Sequence, residues 1–291
     1  MQPKVGFLGT GIMGQAMAKN ILKAGYELMV YNRTPEKTAA LGEAGARVAV
    51  TQNAIADWAE VIIMMVTGPE AVDDLLSGLQ GLLAGEIANK TVINMSTLSP
   101  HYCKKLAERL QNHSVTFIDA PVSGSKKPAE EGTLIILASG PGKNITELEP
   151  LFLSMGKKVV YCGNTGQGTN MKMTVNLLLG ILMEGLCEAI NFGQTCGLSV
   201  SAMFEAILSG PLACPLFNLK TEMLQTNSFP PQFPLKHMAK DLRFALDMAE
   251  ENGAAIPVGR TIFHLFKQAL SENLGDNDFA VVKKVLANLS D

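Results

Sequence analysis

The chain has 291 residues, 47% apolar and 18% charged, with a formal net charge of −3. That length suits two domains better than one core, and the composition is globular, neither disordered nor coiled-coil. The slightly acidic balance gives no electrostatic reason to bind nucleic acid; the lysine pairs at 126–127, 157–158 and 283–284 are isolated and read as solvated surface.

Short apolar runs at 4–8, 27–31, 61–66, 91–95, 115–118, 134–138 and 158–161 alternate with helical or turn segments. This βαβ rhythm predicts an α/β fold, a doubly wound, mainly parallel sheet with helices on both faces. After Gly163 the pattern becomes helices punctuated by Gly, Pro and Asn, with the proline-rich turn SFPPQFPLK (228–236) between two of them. The expected organisation is a Rossmann-type domain at 1–163, an interdomain helix at 164–193 and an all-α domain at 194–291.

The first strand runs into Gly9-x-Gly11-x-x-Gly14, with Ile12 and Met13 in the variable positions, then an amphipathic helix and a second strand. In that setting Gly9 permits a tight turn, Gly11 lets the backbone approach a pyrophosphate, and Gly14 lets the helix pack on the sheet. Free N–H groups at the helix start receive the phosphates. The second strand ends Tyr31-Asn32-Arg33-Thr34, with no carboxylate for the ribose 2′-hydroxyl of NAD, and Glu27 comes too early. Arg33 suits a 2′-phosphate, assisted by Asn32 and Thr34, so the expected cofactor is NADP(H).

Further along, INMSTLSP (93–100) places Ser96 and Thr97 after a predicted strand, where open α/β sheets bind ligands. FIDAPVSGSKKPAEEG (117–132) follows another strand, and its Ser123, Gly124 and Ser125 offer hydroxyls and N–H groups to a small carboxylate. Taken alone, each stretch is more often just a turn.

The most apolar helix opens with GQGTNMKMTVN (166–176) and carries Lys172 and Asn176 four apart on one face. Burying an ammonium and an amide is costly. Either the lysine stem packs while its head snorkels to the surface, or the pair does chemistry. Lys172, Asn176, Glu184 and Glu188 bound the apolar run short of the ~20 residues of a membrane span, so no membrane partner is expected. Five cysteines without a CxxC pair and four histidines without ligand spacing predict neither a disulfide framework nor a metal site. With Val5-Gly6-Phe7-Leu8 starting almost at the initiator, no signal peptide is expected, and a cytoplasmic location is.

Four blocks, FLGTGIMGQAMAKN (7–20), DAPVSGS (119–125), GQGTNMKMTVN (166–176) and KDL (240–242), stand in the order found in the β-hydroxyacid dehydrogenase family. The chain resembles that family, which includes 3-hydroxyisobutyrate dehydrogenase and tartronate semialdehyde reductase, over essentially its whole length. PVSGSKKPAEEGTLIILASG (121–140) and FPLKHMAKDLRFAL (233–246) look most like its glyoxylate and succinic semialdehyde reductases. Ser125 stands where most relatives have a second glycine. With Lys126-Lys127-Pro128, that departure points away from 3-hydroxyisobutyrate as substrate.

The resemblance implies that Lys172 is a catalytic acid/base and that Asn176 orients the substrate. It implies that Ser123, Gly124 and Ser125 form the substrate-carboxylate loop and that Thr97, next to Ser96, lies beside the nicotinamide. Phe233, Lys240 and Asp241 match residues that close over cofactor and substrate, and Met65 matches positions on the adenosine side. For Phe233 the alternative is core packing beside prolines; for Asp241 it is an acid in the first turn of a helix.

Hydride transfer to an aldehyde leaves negative charge on the carbonyl oxygen, which a neighbouring ammonium stabilises and protonates. A lysine of ordinary pKa, about 10.4, is protonated at neutral pH. The expected activity is therefore NADPH-dependent reduction of small aldehyde acids, glyoxylate to glycolate and succinic semialdehyde to 4-hydroxybutyrate. The alternatives are 3-hydroxyisobutyrate dehydrogenase or tartronate semialdehyde reductase, and a non-enzymatic dinucleotide-binding assembly module, whose relatives lose the lysine. The resemblance also implies a homodimer or homotetramer.

Overall fold

The computed structural model describes residues 2–289. Among the described residues nine strands form: β1 (Val5–Leu8), β2 (Leu28–Tyr31), β3 (Arg47–Val48), β4 (Val61–Met64), β5 (Thr91–Asn94), β6 (Thr116–Asp119), β7 (Val122–Ser123), β8 (Leu134–Ala138) and β9 (Gly156–Tyr161). The first six make an all-parallel sheet in the order β3-β2-β1-β4-β5-β6. β1 and β4, at its centre, are buried at every position, as continuous apolar runs covered by helices on both faces must be. Alternate side chains feed two cores: Phe7, Ile63, Ile93 and Ile118 on one face, Leu8, Ile62, Val92 and Phe117 on the other. The doubly wound architecture expected from the sequence is present.

Two details differ from the expected single sheet. β3 is an exposed edge strand of two residues, and β7, β8 and β9 form a separate three-stranded sheet with β7 antiparallel to β8. The division follows Asp119, where Ala120 donates its N–H back to Asn94 and Pro121 has no N–H with which to extend a ladder.

Because β1 to β6 run parallel, the ends that carry Gly9, Asn32, Met65, Ser96 and the 120–125 loop all lie at one edge of the sheet. The strand order reverses between β1 and β4, the place where such sheets bind ligands.

The chain separates into two compact units, one through Lys172 and one from Met173, so the division falls within the helix Gln167–Thr195. That helix is longer than its apolar run suggests. At 29 residues, with a mean hydropathy of 1.6 over its most apolar stretch, it could cross a membrane by length and composition. Here Met183, Leu186, Cys187 and Ile190 are instead buried in the core of the second unit with Phe204, Leu242, Phe266 and Val285.

Candidate active site

The glycine motif is built as its spacing predicts. Gly9 has φ +99°, and a side chain there would strike the Met65 carbonyl; one at Gly14 would strike the carbonyl of Gly9. In front of Gly11, by contrast, the space is open, with no atom within 4 Å of where a Cβ would stand. Gly11 is also the N-cap of the helix Ile12–Lys23 and offers no capping side chain, so that the first N–H groups have no partner within the helix. The Thr10 hydroxyl is buried without a hydrogen-bond partner, a costly arrangement that a bound polar group relieves. An open cradle, free N–H groups and an orphaned hydroxyl together fit a pyrophosphate. Ile12 is exposed at this rim and Met13 half-buried.

Asn32 braces the cradle. Its Oδ1 accepts from the Thr10 N–H at 3.0 Å and its Nδ2 donates to the Thr34 carbonyl at 2.9 Å. Arg33 projects into solvent, 85% exposed, and pairs with Asp74 at 3.7 Å, a surface pair of little strength. Thr34 is exposed beside it.

At the end of β5, Ser96 is fully buried. Its hydroxyl accepts from the Val66 N–H at 2.9 Å and stands 3.4 Å from the Met64 carbonyl, while Asn94 clasps its backbone in both directions. The hydroxyl of Ser96 therefore ties the ends of β4 and β5 together. Thr97 and Met65 are half-buried next to these joints.

Ser123 ends β7 half-buried, and Gly124 follows at φ +136° with Pro128 and Leu134 packed against it. Ser125 has φ −108°, which any residue adopts. The turn therefore places no glycine requirement at position 125.

Lys172 lies in the second turn of the helix Gln167–Thr195 and is 7% exposed. Three residues earlier, Thr169 donates its N–H (2.8 Å) and its hydroxyl (3.0 Å) to the two carboxylate oxygens of Asp119, which is fully buried at the end of β6. Ser139 Oγ stands 3.3 Å from the same carboxylate. Burial raises the pKa of Asp119 against the opposing pull of the Thr169 bonds, and pushes the neighbouring Cys103 thiol well up. The sequence showed Asp119 inside DAPVSGS without revealing what it held.

In the second unit, Asn176 donates its amide to Asp241 Oδ2 at 2.7 Å, and Lys240 Nζ lies 3.4 Å from Asp241 Oδ1. The structure corrects the alternative for Asp241: it sits in the second turn of the helix Leu235–Asn252, past the N-terminal turn, and is 2% exposed. Phe233 is half-buried, edge-on to Phe279 at 5.8 Å. Its N–H, with that of Gln232, donates to Asp278, whose carboxylate also receives Lys220 Nζ at 2.8 Å on each oxygen. His237, one turn before Asp241, has its pKa lowered by burial and then by Lys240.

Residues 4–163 match the family described as the NAD binding domain of 6-phosphogluconate dehydrogenase, and residues 166–286 that described as NAD-binding of NADP-dependent 3-hydroxyisobutyrate dehydrogenase. The chain is 38% identical to glyoxylate/succinic semialdehyde reductase 1 of Arabidopsis thaliana, over 96% of each. It belongs to the β-hydroxyacid dehydrogenase family, in the glyoxylate/succinic semialdehyde reductase branch. A second Arabidopsis relative, the chloroplastic glyoxylate/succinic semialdehyde reductase 2, is 34% identical over 97% of this chain and 79% of its own. Among solved structures, Psf3 in complex with NADP+ and 2-OPP superposes with a TM-score of 0.89 at 26% identity, over 97% of this chain and 99% of that one. The protein is an NADP(H)-dependent oxidoreductase.

Proposed function

We propose that the protein reduces small aldehyde acids with NADPH, converting glyoxylate to glycolate and succinic semialdehyde to 4-hydroxybutyrate. The observation that carries this reading is the near-full-length similarity to reductases named for those two substrates. The bound cofactor supplies the hydride. Ser123, Gly124 and Ser125 receive the substrate carboxylate with hydroxyl and N–H groups. The Lys172 ammonium donates a proton to the carbonyl oxygen as negative charge develops there, and Asn176, its amide fixed by Asp241, orients the substrate.

Thr97, next to Ser96, stands beside the nicotinamide, Met65 on the adenosine side, and Lys240 completes the cofactor contacts; Phe233 and Asp241 contact substrate. Arg33, with Asn32 and Thr34, holds the 2′-phosphate and selects NADPH over NADH. In this reading residues 1–163 form the dinucleotide-binding domain, 164–193 the interdomain helix and 194–291 the all-α domain. The protein acts in the cytoplasm as a homodimer or homotetramer. An apolar stripe along the long helix, Leu178, Leu182 and Phe192, the last 70% exposed, supports association.

A second reading, oxidation of 3-hydroxyisobutyrate, is favoured by the description of the family matched at 166–286. Steady-state NADPH oxidation with glyoxylate, succinic semialdehyde and tartronate semialdehyde, and NADP+ reduction with 3-hydroxyisobutyrate, separates the two. Turnover of the first two aldehydes is expected; turnover of 3-hydroxyisobutyrate alone would replace the first reading by the second.

A further inference from the structure

We propose that Asp119 is a positioning residue for Lys172, fixing the first turn of the lysine's helix to the strand that feeds the substrate loop. Three observations within the first unit carry it. The carboxylate is fully buried and spends both oxygens on Thr169, one through the backbone N–H and one through the hydroxyl. Thr169 precedes Lys172 by three residues, which places the two on the same side of the helix one turn apart. The turn also packs without slack against β6 and β8: a side chain at Gly168 would strike the Leu137 carbonyl and stand 2.8 Å from that of Asp119.

Asp119 is also a junction of the chemistry-bearing segments. It is the last residue of β6, four before Ser123, and its N–H and carbonyl exchange hydrogen bonds with Ser139 at 3.0 and 2.7 Å. The adjoining Ala120 N–H donates to Asn94, which clasps Ser96. The carboxylate of Asp119 and the main chain at 119–120 thus connect the stretches that carry Ser96, Ser123 and Lys172. A negative charge beside the first N–H groups of a 29-residue helix complements its dipole, and stability alone would be served by that. Yet burial works against the charged form here, so that the carboxylate is retained at a cost to the fold. Misplacing a reacting group by about 1 Å lowers rate by roughly a hundredfold, which is the effect Asp119 prevents.

The inference rests on Lys172 being the proton donor, and the experiment separates the two claims. NADPH affinity by fluorescence titration and kcat with glyoxylate are measured for Asp119→Asn, Thr169→Val, Lys172→Ala and the Asp119→Asn/Lys172→Ala pair. Thr169→Val keeps the backbone hydrogen bond and serves if the Asp119 variant does not fold. Expected are a kcat lowered about 10- to 100-fold in Asp119→Asn, and by a smaller factor in Thr169→Val, with NADPH affinity held within about twofold. In the Lys172→Ala background the Asp119 change should have little further effect, since a residue that acts through the lysine has nothing left to position. An equal proportional loss in both backgrounds, or an unchanged kcat in Asp119→Asn and Thr169→Val, overturns the positioning role. A fully active Lys172→Ala overturns it as well, and shows that the proton-donor reading failed first.

Discussion

Arg33 stands just past the end of β2 with its guanidinium in solvent and a long, exposed pairing with Asp74. A 2′-phosphate offers it a charge-assisted, bidentate partner in place of that pair, worth about 1.5–3 kcal/mol. Arg33→Asp should therefore raise the Kd for NADPH at least tenfold and leave NADH nearly unchanged; an equal loss for both would remove Arg33 from cofactor choice. Asp119 makes a separate prediction about pH. Its folded pKa is raised by burial above the unfolded value of about 3.9, so between the two the folded state holds more protons than the unfolded one. The contribution of Asp119 to stability therefore falls as pH rises through that window. The Tm of the wild type relative to Asp119→Asn should decline from pH 4 upward until the folded pKa is passed, while a difference that grows with pH would mean the carboxylate is net-stabilised by its bonds.

At the scale of elements, the proline-rich turn and the helix after it are held by an ion pair whose carboxylate is more than 40 residues further along the chain. Lys220 and Asp278, both buried, pair at 2.8 Å, and Asp278 also receives the N–H groups of Gln232, Phe233 and Ala280. Lys220→Met leaves a buried, uncompensated carboxylate, and the expected loss is about 3–5 kcal/mol, seen as a lower denaturation midpoint. A loss under about 1 kcal/mol would mean that the backbone donors suffice. This element also marks what the sequence could disclose. The glycine motif was legible because its chemistry is local: strand, turn and helix follow one another within 30 residues. β3 and β7 were not, since two residues carry no periodicity. Asp119 with Thr169 and Lys220 with Asp278 were hidden because their partners lie 50 and 58 positions apart, and neither carboxylate differs in sequence from a solvated one.

For the whole molecule, membership of the β-hydroxyacid dehydrogenase family accounts for the two-part organisation, a dinucleotide-binding sheet followed by helices. The apolar run of the long helix is explained by the core of the second unit only in part, because Leu178, Leu182 and Phe192 remain outside it. If that stripe joins two copies, sedimentation of the wild type gives a dimer or tetramer and Phe192→Glu shifts it toward the monomer. A wild-type monomer at micromolar concentration would discard the association. The exposed stripe, unlike the core, could not be separated from the rest of the apolar run by sequence, because both faces of this helix are apolar.

The claim on which the rest depends is that Lys172 donates the proton when NADPH reduces a small aldehyde acid. The direct measurement is stopped-flow oxidation of NADPH with saturating glyoxylate, wild type against Lys172→Ala. The expected result is a rate lowered by roughly 10²- to 10⁴-fold with NADPH binding retained. A Lys172→Ala rate within threefold of wild type would show that the proton comes from elsewhere, and with it the mechanism proposed for this protein would fall.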